Sequence, residues 1–117
     1  AKDHHGEIFI SLHANAASAS AQGTETFYSI SANDNEKEDY ALATFINSEI
    51  VKNANMKDRG VKREDYYVIR NLYIPSVLVE LGFVTNSEDR SKLVNDKYID
   101  IFAQSIYNGI TKYYSQK

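Results

Sequence analysis

Apolar positions recur along this chain with two different periods. Glu7 to Leu12 reads EIFISL, rich in β-branched and aromatic residues, and is expected to be a short buried strand. His13-Ala14-Asn15-Ala16 follows at its C-terminal end, and Ala17 to Gly23 is small and polar, a loop. Thr24 to Ile30 (TETFYSI) reads as a second strand. The period then changes. Asn33-Asn35 is a turn, and Asn35 with Glu38 has capping-box spacing. Leu42, Phe45, Ile46 and Ile50 recur at helical intervals, which predicts a helix from about Glu36 to Asn53, ending near Asn55.

Strand character returns at Tyr66 to Arg70 (YYVIR) and at Ser76 to Glu80 (SVLVE), the latter entered through the only proline, Pro75. A parallel crossover needs about a dozen residues, more than separate these two, so they are either antiparallel neighbours or not adjacent. Asn86 or Ser87 caps a short helix with Glu88 and Asp89 in its first turn, where the helix dipole favours acids. A last helix is expected over Asp96 to Tyr113, with Ile99, Phe102, Ile106 and Ile110 as its buried stripe. Strands alternating with amphipathic helices give an α/β fold whose sheet is mixed.

Composition narrows the class. The 117 residues suit one domain, and an apolar fraction of 43% is enough for a core. A net charge of −3 argues against nucleic acid as a partner. No apolar run approaches the roughly 20 residues that span a membrane. Without cysteine, any metal must sit on His, Asp or Glu. No signal peptide is visible in the polar stretch Ala1 to Gly6, which leads straight into a strand as if a domain had been cut. Nine tyrosines and five phenylalanines suit a core with some groove-lining aromatics.

Two polar residues directly follow predicted buried strands, His13 after EIFISL and Glu80 at the end of SVLVE. Ligands of open α/β sheets bind outside the carboxyl ends of the strands. There, a His and a Glu could be a metal ligand and a general base. Equally, each could be structural, the His hydrogen-bonded and the Glu paired with a basic residue.

The runs IFISLHANA (Ile8 to Ala16) and PSVLVELGFVTN (Pro75 to Asn86) together resemble the zinc-dependent N-acetylmuramoyl-L-alanine amidases, often called amidase 3. GTETFYS (Gly23 to Ser29) is similar to that family's Gly-x-Glu-Thr strand, and RGVKREDYYVIR (Arg59 to Arg70) to its stretch before the penultimate strand. The motifs occur in family order and span the chain. The resemblance implies that residues 1–117 are the C-terminal portion of an amidase catalytic domain. It implies a mixed, mostly parallel sheet flanked by helices, phosphorylase/hydrolase-like, with the N-terminal part missing.

It further implies hydrolysis of the amide between N-acetylmuramic acid and L-alanine in peptidoglycan. The family holds zinc on two His and one Glu, leaving a position for water; His13 matches the last ligand and Glu80 the catalytic glutamate, the general base. Such a zinc lowers the pKa of its water toward about 7, and a neighbouring carboxylate can take that proton to the leaving amine. The other ligands belong to segments upstream, and no matching motif is found here. His4 and His5 precede the strand that carries His13. At about 3.3 Å per residue they lie roughly 25 Å away and are not assigned to the site. Glu25 lies in a family motif without a physical reason to be a ligand. Asn15, Arg70 and Asn86 are candidates for substrate contact or loop anchoring.

By this resemblance the protein is an autolysin-like hydrolase, secreted or wall-associated, with peptidoglycan as partner. With one recognisable ligand, the chain alone is expected to bind zinc poorly and to be inactive. Its exposed sheet edge is expected to invite association. A non-catalytic wall-binding module on the same scaffold, and a plain α/β domain with structural His and Glu, are the competing readings.

Overall fold

A computed structural model describes residues 8–29, 36–64, 66, 69 and 74–116. The described elements are β1 (Phe9–Asn15), β2 (Thr24–Ser29), α1 (Glu36–Ala54), β3 (Asp58–Glu64), β4 (Ser76–Phe83), α2 (Ser87–Leu93) and α3 (Asp96–Ser115). The strands form one sheet in the order β1-β4-β2-β3. β1 runs parallel to β4 and β2 parallel to β3, while β2 and β4 are antiparallel. The sheet is therefore mixed and mostly parallel, flanked by helices.

The topology follows from the lengths of the connections. Helix α1 supplies the long crossover that lets β2 and β3 pair in parallel. β3 and β4, separated by a shorter connection, are not neighbours.

One face of the sheet is covered by α1 and α3. Leu42, Ile46 and Ile50 of α1 pack there with Val77, Val79, Phe102 and Tyr113. The helices meet closely at Gly109, where an added Cβ would lie 2.7 Å from Ile46 Cα. The buried stripe of α3 is accordingly Phe102, Ser105, Gly109 and Tyr113. Ile106 and Ile110 are partly buried against the core, but Ile99 is 47% exposed, contrary to the expectation. The reason is that close helix approach selects small side chains at the contact, and the stripe turns away from Ile99. α1 stops at Ala54, and Asn55 takes a left-handed φ of 54°. Lys92 Nζ donates to the carbonyls of Ala54 (3.0 Å) and Asn55 (2.7 Å), satisfying the helix end.

The third strand lies where the sequence pattern did not put it. β3 is Asp58–Glu64 (DRGVKRE), a charged edge strand with no apolar run to announce it; its ladder to β2 overrides its weak propensity. Of the expected strand Tyr66–Arg70 only Tyr66 and Ile69 are described, and the Ile69 N–H donates to the Tyr66 carbonyl at 3.1 Å. Tyr66 and Ile69 pack on Phe27 and Leu78, on the sheet face away from α1 and α3. The Asn33–Asn35 turn with its proposed cap lies outside the described residues.

Candidate active site

β1 and β4 both run further than their apolar patterns suggest, so His13 and Glu80 lie within strands rather than just after them. The two are register partners across the parallel ladder. Glu80 is in turn the register partner of Glu25 on the antiparallel side. Register partners project from the same face of a sheet. His13, Glu80 and Glu25 therefore form a polar row across three adjacent strands, on the face opposite the two long helices. Tyr66 and Ile69 are the residues packed beside it.

Two bulges sit next to this row. Between His13 and Asn15 the register shifts so that Asn15 faces Phe83, which places one extra residue on β4 and turns Phe83 onto the face of the row. Between Thr24 and Thr26 the partners move from Asp58 to Val61, so β3 carries the extra residue at Arg59–Gly60. Gly60 adopts φ 91°, a conformation open to glycine, and its N–H donates to Asp58 Oδ1 at 2.8 Å. The second bulge aims Arg59 at Glu25, 3.4 Å from Nε to Oε1, and over the ring of Phe83 at 4.8 Å. Lys62 Nζ donates to the same Glu25 oxygen at 2.5 Å.

The electrostatics distinguish the carboxylates. Glu25 is buried but held by two cations. Glu80 is 7% exposed, and its Oε1 is buried without a hydrogen-bond partner among the described residues. Burial pushes the Glu80 carboxyl above the usual carboxylate range; the nearby His13 opposes this and Glu25 adds to it. Burial, reinforced by Glu80, Glu64 and Glu25, likewise raises the Tyr66 phenol. His13 is exposed, and its Nε2 lies 2.9 Å from Ser11 Oγ. A buried carboxylate with a free oxygen beside an accessible imidazole is equipped to accept and pass on a proton.

The profile of the N-acetylmuramoyl-L-alanine amidase family matches residues 1–112. The chain belongs to that family. Among its curated relatives, N-acetylmuramoyl-L-alanine amidase LytC of Bacillus subtilis (strain 168) is 43% identical over 92% of the chain, which spans 22% of LytC. The uncharacterized protein YqiI of the same organism is 46% identical over 94% of the chain, which covers 52% of YqiI. The chain thus spans about half or less of these relatives. The crystal structure of N-acetylmuramoyl-L-alanine amidase from Clostridium difficile 630 superposes with a TM-score of 0.87 at 32% identity, covering 98% of the chain and 61% of that structure.

Amidases of this family are generally zinc-dependent, so the donors can be tested against that ion. Among the described residues no group of three or more His, Asp and Glu could hold a metal. What this chain offers is one imidazole, its Nε2 2.9 Å from Ser11 Oγ, and the orphaned Glu80 oxygen. Both suit a zinc site chemically, but a catalytic zinc needs three protein ligands, and no such set lies among the described residues. His4, His5 and Arg70 lie outside the described residues. Asn15 ends β1 on the face of the row, and its side chain accepts the Ala16 N–H at 2.8 Å.

Asn86 is bound at both ends of its amide. Its Oδ1 accepts from Asp89 N as the cap of α2, and its Nδ2 donates to the Ala19 carbonyl at 2.9 Å. It anchors the loop between β1 and β2. Asp89 completes that anchor, one buried oxygen accepting the Gly23 N–H at 2.8 Å and the Phe83 N–H at 2.9 Å. Sequence reasoning missed Arg59 and Lys62 as members of the row. They sit in a charged run with no apolar period, and the signals at hand were its resemblance to the family stretch before the penultimate strand and the capacity of RGVKRE to pair as a strand.

Proposed function

We propose that this chain provides part of the catalytic centre of a zinc-dependent hydrolase that cuts the amide between N-acetylmuramic acid and L-alanine in peptidoglycan. The observation that carries the proposal is the register pairing of His13 with a buried, unpartnered Glu80. His13 would be one zinc ligand. When bound, zinc would polarise the scissile carbonyl and ease deprotonation of a water. Glu80 would take the proton from that water as it attacks. Its depth in the sheet favours the protonated form that results, so the same carboxyl can then deliver the proton to the leaving alanine nitrogen. Ser11 would hold the imidazole in orientation, and Asn15 and Arg70 would contact substrate.

That several relatives are named cell wall amidases supports a secreted or wall-associated setting for this chain. Alone, the 117 residues should bind zinc weakly and leave peptidoglycan intact, because one imidazole supplies little of the binding free energy. β1 is an edge strand with Phe9 and Leu12 exposed, a surface that would favour association. The deciding experiment incubates the full-length protein with purified cell wall. Release of stem peptides with new L-alanine amino termini, abolished by chelation and restored by zinc, is expected. Reducing sugar ends without free alanine termini would refute the assignment.

A further inference from the structure

The polar row does not stop at Glu25. It continues onto β3, where two cations meet one carboxylate. Lys62 alone neutralises Glu25 through its 2.5 Å contact. Arg59, at 3.4 Å, adds a second positive charge, and its Nε is buried with no hydrogen-bond partner among the described residues. Its guanidinium carbon also lies over the Phe83 ring, 4.8 Å from the centroid. A bulge in each adjoining ladder creates this arrangement, one presenting Phe83 and the other aiming Arg59. Both cations remain reachable from solvent, with side chains 31% and 44% exposed, whereas Glu25 does not at 5%. Neutralising Glu25 accounts for one cation and leaves the other for a ligand.

Position suggests which ligand. Both cations reach over β2, one strand spacing of about 5 Å from Glu80. An extended peptide advances about 3.5 Å per residue. A peptide arm leaving the bond beside Glu80 would thus bring its first or second residue to Arg59 and Lys62. Cell-wall stem peptides carry a carboxyl on the second residue, either free or amidated.

We infer that Arg59 and Lys62 form a carboxylate subsite for the peptide arm of the substrate and make the enzyme prefer a free acid over its amide. This rests on the amidase reading above. Arg59 and Lys62 bind and orient; they take no part in the proton transfers. A guanidinium beside an ammonium suits a carboxylate through charge-assisted hydrogen bonds, and an amide would forfeit the charge.

The test uses the full-length protein and two muropeptides that differ only in whether the second stem residue carries a free carboxyl or its amide. The unsubstituted protein should cleave the acid with the higher kcat/KM. Arg59→Gln should lower kcat/KM for the acid on the order of tenfold, chiefly through KM, and for the amide by a clearly smaller factor. Lys62→Arg should keep most of the preference. Equal losses on both substrates, or no preference in the unsubstituted protein, would overturn the subsite. Calorimetry of the two peptides on the unsubstituted protein needs no variant: tighter binding of the acid is expected, and equal affinity would overturn the proposal. A protein that cleaves neither muropeptide defeats the amidase reading itself, and the subsite with it.

Discussion

His13 of β1 and Glu80 of β4 stand opposite one another in a parallel ladder, the imidazole exposed and the carboxyl buried. The pairing gives the two groups different tasks. An accessible imidazole can reach a metal, while a buried carboxyl with a free oxygen is disposed to hold a proton.

Glu80→Gln in the full-length protein should therefore keep its zinc and lose activity by a factor on the order of 10²–10⁴. The amide fills the same space but cannot accept the proton. His13→Ala should lose zinc as well as activity. Metal analysis of both variants beside stem-peptide release checks this; zinc lost from Glu80→Gln would make Glu80 a ligand instead.

Asp89 ties the loop after β1 to the end of β4 through two backbone N–H groups. Asp89→Ala leaves both donors without this partner and should cost about 2–4 kcal/mol of stability. Urea unfolding would measure it. A loss below about 0.5 kcal/mol would mean that water replaces the carboxylate freely.

Gly109 lets α3 lie directly on α1. Gly109→Ala would put a methyl group 2.7 Å from Ile46 Cα and 2.9 Å from Ile46 N, both backbone atoms that cannot rotate aside. The helices must separate, at a cost of roughly 1–3 kcal/mol despite the better helix propensity of alanine. Thermal unfolding should show a lower Tm; an unchanged or raised one would contradict the close crossing.

Glu49 joins the same two helices. Lys112 Nζ donates to it at 2.6 Å, with Lys52 at 3.2 Å and Asn53 at 3.0 Å. The Lys112 hydrogen bond leads in holding its carboxyl down at about 2, against a cost of burial and with help from Lys52 and Asn53. A depressed folded pKa means the stabilisation is present above the ordinary value of 4.5 and fades as pH falls through about 2. Because both lysines are half exposed, the contribution is on the order of 1 kcal/mol. Glu49→Gln should be less stable than the parent at pH 7, with the gap closing between pH 4.5 and 2. Chemical denaturation across that range would show it, and a gap independent of pH would assign the effect to packing alone.

By itself the sequence determined the elements whose residues meet one environment throughout. The apolar run around Val77–Val79 had to be a strand, and the spacing of Leu42, Ile46 and Ile50 had to be helical, because burial repeats with the period of the backbone; the run Ile8–Leu12 is a strand too, but not the buried one expected, since Phe9 and Leu12 are exposed on the sheet edge. Asn86 and its acidic first turn marked α2 through local capping. The sequence also singled out His13 and Glu80, by their place at the ends of those runs and by family resemblance. Tertiary structure decided the rest. β3 is a strand because β2 lies beside it, although DRGVKRE has no buried face to advertise. The buried stripe of α3 follows Gly109 and Ser105 rather than Ile99, because the depth of a helix contact depends on the partner helix. Above all, the row from His13 through Glu80 and Glu25 to Arg59 and Lys62 joins residues far apart in the chain. Strand order, register and two bulges align them, and pairing between distant strands leaves no periodic trace in either segment.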